Sequence, residues 1–97
     1  EDYIAAQPND ARAIAALGLY RAELGDPGKA RALLDRAEAL GTQPGEVALL
    51  NAETLAVLGD LPAARARLAT ARKAGIAETL IASNTVFRRL GLLTGAQ

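Results

Sequence analysis

Apolar residues recur along this chain at helical spacing. Over residues 10–24, Ile14, Leu17 and Leu24 form one apolar stripe, and Ala15, Leu19 and Ala22 form a second on another side. Turn signals bound such stretches at regular intervals. The run LGDPGKARALL at 24–34 overlays LGDLPAARARL at 58–68 without a gap, and Gly25/Gly59, Asp26/Asp60, Ala30/Ala64, Leu34/Leu68 and Ala37/Ala71 all stand 34 residues apart. Glycine suits the left-handed residue that ends a helix, and aspartate caps the next through its side-chain oxygen. Pro27 then falls at the first helical position, where its missing N–H costs nothing, and Pro62 comes one residue later in its own repeat. Gly41 and Gly75 close the second helices. The pattern predicts a helix end at 2–7 and helices over 10–24, 27–40, 45–58, 61–74 and 78–92, each antiparallel to its neighbours.

Composition supports an all-α fold. Of 97 residues, 51% are hydrophobic, alanine is abundant, and the aromatic strand formers are scarce. A repeat of this length is that of a helix pair that cannot bury its apolar face alone and stacks on neighbours.

On these residues the chain resembles the tetratricopeptide repeat family, whose signature runs W-x2-L-G-x2-Y, then A-x3-F, then A and a closing P. One unit, 11–44, offers Ile14, Leu17-Gly18, Arg21, Ala30, Leu34 and Ala37. The next, 45–78, offers Ala48, Asn51-Ala52, Leu55, Ala64, Leu68 and Ala71, and 79–97 begins a third with Ala82, Thr85-Val86 and Arg89. Pro8 stands where a closing proline belongs, so residues 1–8 read as the end of a preceding repeat. The family's aromatics are replaced by Ile, Ala and Leu, and Asn51 stands at a core leucine position, where burial would oblige it to find hydrogen-bond partners.

The resemblance implies a right-handed superhelical stack of antiparallel helix pairs, a TPR-like α-solenoid, with partners in a concave groove lined by the first helix of each pair. By register that groove holds Arg12, Ala15, Ala16, Leu19 and Glu23, then Glu46, Leu49, Leu50, Glu53 and Val57, then Ser83, Asn84 and Phe87. Arg12, Leu19, Glu23, Leu49, Glu53, Val57, Asn84 and Phe87 are the candidate partner-binding residues. The family's carboxylate clamp needs Lys, Arg and Asn, whereas the corresponding places hold Ala15, Leu19, Leu50, Ser83 and Phe87, so a chaperone-tail receptor is not expected.

The remaining chemistry narrows the function. Without Cys or His there is no thiolate, no imidazole base and no usual zinc ligand. Ser83, the only serine, has no base beside it. Asp35, Glu38 and Glu46 are interspersed with Lys29, Arg31 and Arg36 and read as a solvated face, while LGDPGK lacks the spaced glycines of a phosphate loop. No catalysis, metal or cofactor is expected. The charge is zero overall but lopsided: residues 1–60 carry ten acidic and five basic groups, and 61–97 one acidic and six basic. The basic set Arg65, Arg67, Arg72, Lys73, Arg88 and Arg89 is accompanied by only three aromatics, so nucleic acid is not an expected partner. The longest uncharged run, 79–87, falls far short of the roughly 20 apolar residues that cross a bilayer.

The expectation is a non-catalytic protein–protein interaction scaffold that binds a peptide or helix segment. The Ala- and Arg-rich, Lys-poor style points to a fragment of a longer bacterial multi-repeat protein, of the sort that serves secretion, exopolysaccharide export or envelope and pilus assembly. Cytoplasm and periplasm suit it equally. The alternative is a structural spacer or self-association module that stacks on further repeats without a groove ligand, and a regulatory piece of an enzyme is a third reading. Self-association is expected through the apolar C-terminal helix, with Leu80, Ile81, Val86, Phe87, Leu90, Leu92 and Leu93.

Overall fold

The computed structural model describes residues 10–91, all-helical and without a strand among them. Its helices are α1 (Ala11–Glu23), α2 (Pro27–Leu40), α3 (Pro44–Val57), α4 (Leu61–Lys73), α5 (Glu78–Ala82) and α6 (Thr85–Arg89). The helix end expected at 2–7 and the last residue of the expected 78–92 helix lie outside the described residues.

The two LGD corners have the same chemistry. Gly25 and Gly59 take φ of +83° and +89°, a conformation that costs glycine nothing. Asp26 N donates to Arg21 O at 2.9 Å and Gly25 N to Ala22 O at 3.1 Å. Asp60 N to Leu55 O at 2.9 Å and Gly59 N to Ala56 O at 3.0 Å repeat the pattern. These are Schellman closures, which satisfy the carbonyls left free at a helix end. Asp26 and Asp60 then turn their carboxylates onto the next helix, accepting from Lys29 N and Ala63 N at 3.2 Å each. With three residues between helices, α1 folds back along α2 and α3 along α4, and α1 also packs on α3. Between the hairpins Gln43 is left-handed at φ +50°, and its Oε1 accepts from Arg12 N at 3.2 Å, satisfying an amide in the first turn of α1.

Small side chains let the helices approach closely. Ala30 and Ala64, at equivalent places in the two hairpins, are completely buried. One apolar cluster joins Ala11, Ile14, Ala15, Ala37 and Val47. The other joins Leu34, Ala52, Leu55, Ala56, Ala64, Leu68, Ile81 and Phe87. Burying a side chain the size of Ile81 or Phe87 contributes about 1.5–3 kcal/mol, so α5 and α6 are anchored chiefly by one residue each.

The C-terminal segment departs from expectation. Instead of one helix from 78, α5 stops at Ser83 and α6 restarts after Asn84, whose Oδ1 accepts from Phe87 N at 3.0 Å. Ser83 Oγ donates to Leu80 O at 3.0 Å. Such side-chain bonds compete with the helical ladder and favour a stop followed by a new start. The break also bears on the expected self-association surface. Ile81 and Phe87 are fully buried, Val86 and Leu90 pack half-buried against the same cluster, and Leu80 is exposed.

Candidate functional site

Arg12 and Glu46, in the first turns of α1 and α3, are 3.9 Å apart as an exposed ion pair. Glu23, at the end of α1, lies close enough to Glu53 on α3 for its charge to oppose ionisation there. These two meetings set α1 and α3 side by side in the same direction. Helical spacing puts Arg12, Ala16, Leu19 and Glu23 on one side of α1, and Glu46, Leu49 or Leu50, Glu53 and Val57 on one side of α3. Of these, Ala16 and Val57 are exposed, and Leu19, Leu49 and Leu50 are half-buried. The result is a shared face, apolar in its middle and charged toward its ends.

Glu53 is the most constrained polar group on that face. Burial pushes its carboxyl above the ordinary carboxylate range; a hydrogen bond from the Asn84 side chain works in the opposite direction, and the nearby Glu23 charge adds to the rise. Asn84 thus caps α6 through its Oδ1, and its side chain lies near enough to Glu53 on α3 to favour the charged carboxylate. A cation placed beside Glu53 would favour its charged form.

The structure therefore brings Arg12 to Glu46, and both Glu23 and Asn84 to the neighbourhood of Glu53. It does not bring Phe87 to this face. Phe87 is fully buried and packs with Leu68, Leu55 and Ile81, because the restart at Asn84 turns the chain's only Phe into the core. Ala15, another residue placed in the groove by register, is likewise completely buried.

A second feature went unforeseen. Asn51 is completely buried, and its Nδ2 donates to Glu38 Oε2 at 3.1 Å and to Leu34 O at 3.5 Å, while its Oδ1 has no partner. Glu38 also accepts from Arg67 Nη2 at 3.1 Å, and this pairing raises the affinity of the guanidinium for its proton. One carboxylate on α2 so clasps both helices of the following hairpin. The sequence flagged Asn51 as needing partners but offered no signal for which. Beside the clasp, α2, α3 and α4 enclose a largely apolar cleft of about 320 Å³ reaching from Ala37 to Thr70. It holds none of the expected site residues, and its charged pair, Glu38 and Arg67, is mutually neutralised.

Among the described residues there is no group of three or more His, Cys, Asp or Glu side chains arranged to hold a metal, and no helix long and apolar enough to cross a membrane. Comparison with protein-family models, with curated proteins and with solved structures finds no match.

Proposed function

We propose that this chain is a helical-repeat module of the tetratricopeptide kind, stacked as a right-handed solenoid. In this reading it holds a peptide or helix of another protein against the shared face of α1 and α3 and catalyses no reaction. The observation that carries the reading is the parallel pair α1–α3. Its half-buried apolar centre, Leu19 and Leu49, ends at a partly desolvated carboxylate, Glu53, opposed by Glu23 and flanked by Asn84. A segment with aliphatic side chains and one Lys or Arg complements both properties. The apolar part supplies affinity, and the cation fixes direction by relieving the Glu23–Glu53 repulsion. The spacer reading is favoured by one observation: Ala15 and Phe87, expected in the groove, are used for packing.

Selection of short peptides from a random library against the immobilised chain tests the proposal. Enriched peptides should pair a basic residue with aliphatic ones and shift the amide resonances of α1 and α3. Leu19→Asp and Val57→Asp should abolish that binding while leaving helicity and melting temperature nearly intact. No enriched peptide, or helicity lost together with binding, would favour the spacer.

A further inference from the structure

The cleft beside the clasp takes no part in the shared face of α1 and α3. Ala37 on α2, Val47 and Ala48 on α3 and Ala66 on α4 supply its apolar lining, and about 320 Å³ lies between them. An aliphatic cavity of roughly 150 Å³ already holds a benzene ring, so this one has room for two fused rings. The repeat shows why it stays open. Thr42 and Pro44 line it, and 34 residues on their counterparts are Ile76 and Glu78. Ile76 is half-buried against the core, and Glu78 accepts two hydrogen bonds from Arg72, Nε to Oε1 at 2.9 Å and Nη2 to Oε2 at 3.2 Å. Threonine is smaller than isoleucine and proline carries no charge, so the first joint lacks both the side chain and the ion pair that occupy the second.

Arg67 and Thr70, one turn apart on α4, give the cleft a polar side. Arg67 spends Nε and Nη2 on Glu38, and its Nη1 makes no hydrogen bond among the described residues. Thr70 Oγ1 donates to Ala66 O at 3.2 Å, which leaves its oxygen able to accept. A donor and an acceptor thus neighbour each other on an apolar lining. A charged ligand suits neither. Glu38 already neutralises Arg67, and the charges of Asp35 and Asp60 add to its hold on the guanidinium proton, so an anion meets negative surroundings. A cation meets a guanidinium whose carboxylate is already taken. A carboxamide carries the matching pair, a carbonyl oxygen to accept from Nη1 and an N–H to donate to Oγ1, and it has no charge to desolvate.

We propose that the α2–α3–α4 cleft binds a small uncharged aromatic carboxamide, its rings among Ala37, Val47, Ala48 and Ala66 and its amide on Arg67 and Thr70. The inference is independent of peptide binding on α1 and α3, because none of Leu19, Leu49, Glu53 and Val57 lines the cleft.

Titration of the chain with naphthamide, followed by alanine methyl resonances, tests it. Ala37, Ala48 and Ala66 should shift saturably, while Ala16 on the α1–α3 face stays still. Naphthoate and naphthylmethylamine should bind roughly tenfold more weakly, since each brings an unmatched charge to a balanced site. Thr70→Val keeps the shape and removes the acceptor. It should weaken naphthamide about fivefold, the worth of one neutral hydrogen bond, and leave the affinity for naphthyl methyl ketone unchanged. Ala66→Leu, at an exposed helical position, should fill the cleft and abolish binding while the melting temperature holds. If that variant melts early, Thr42→Ile, which gives the first joint the residue of the second, makes the same test. Absence of a saturable shift at millimolar naphthamide, charged analogues that bind as well as the amide, or shifts centred on the α1–α3 face would each overturn the proposal. So would a filled cleft or a Thr70→Val chain that binds naphthamide as the parent does.

Discussion

Gly18 sits in the middle of α1, where it crosses α2, and replacing it by alanine measures how tightly this hairpin is closed. A Cβ built at Gly18 would lie 3.4 Å from Ala30 O, 3.4 Å from Leu33 Cβ and 3.6 Å from Leu34 N, all ordinary van der Waals separations. The other hairpin has performed the substitution already: 34 residues on stands Ala52, completely buried, in the hairpin that holds Ala64 in place of Ala30. Glycine inside a helix costs about 0.5–1 kcal/mol relative to alanine, through the entropy of the unfolded chain. The new methyl also fills contact distance rather than forcing an opening. Gly18→Ala should therefore stabilise the domain by about 0.5–1 kcal/mol and raise its melting temperature by a few degrees. Urea unfolding followed by circular dichroism reads this as a higher midpoint at unchanged slope. A loss of about 1 kcal/mol or more would refute the reasoning, since it would mean that the Ala30 carbonyl cannot give way and α1 crosses α2 more closely than these distances state.

Three further outcomes follow from the packing and the charges. Ala64→Leu, at a completely buried position where α4 meets its neighbours, should cost about 1–3 kcal/mol in chemical denaturation, and a variant matching the parent would place Ala64 off the interface. Asn51→Leu removes a buried amide whose Oδ1 has no partner and leaves Glu38 paired with Arg67, so it should hold or raise the melting temperature, whereas Asn51→Ala, which opens a cavity, should lower it. Glu53 has its folded pKa raised, mainly by burial, so the folded chain binds its proton more readily than the unfolded one. Its contribution is then most favourable below the ordinary carboxylate pKa and is lost as pH rises through the higher folded value. Glu53→Gln should accordingly gain stability over the parent at neutral pH, and the difference should shrink as pH falls through that window; a difference independent of pH would remove Glu53 from the account.

Features set by neighbouring residues were legible in the sequence. Gly25-Asp26 and Gly59-Asp60 carry both the left-handed stop and the cap that follows, so the corners and hairpins could be drawn from them alone. The break in the last helix was legible too, in Ser83-Asn84-Thr85, which is a helix-start signature; the apolar spacing of Leu80, Ile81, Val86, Phe87 and Leu90 outweighed it. Phe87 was misplaced for the same reason, because register along an unbroken helix puts it in the groove and the restart rotates it inward. The clasp was not legible. Glu38 lies 13 residues from Asn51 and 29 from Arg67, and only the docking of one hairpin on the next decides that a single carboxylate serves both. The approach of Glu23 and Asn84 to Glu53 depends likewise on how α1, α3 and α6 cross, which no one-dimensional pattern encodes.

One helix, α3, makes contact with α1, α2, α4 and α6 and carries eight of the buried residues, Gly45 to Ala56. That centrality has a dynamic consequence. Opening its backbone to solvent requires both hairpins to separate at once, so amides in the middle of α3 should exchange their hydrogens only through global unfolding and report the full stability of the domain. Helices α5 and α6, five residues each and held mainly by Ile81 and Phe87, can open on their own at smaller cost, and their amides should exchange first. The same asymmetry orders the response to a bound partner. A ligand spanning α1 and α3 rests on the slowest-exchanging part of the molecule and gains little there. Its contact with Asn84 tethers the fastest-exchanging part, so occupancy of the face should appear most clearly as slowed exchange in α6.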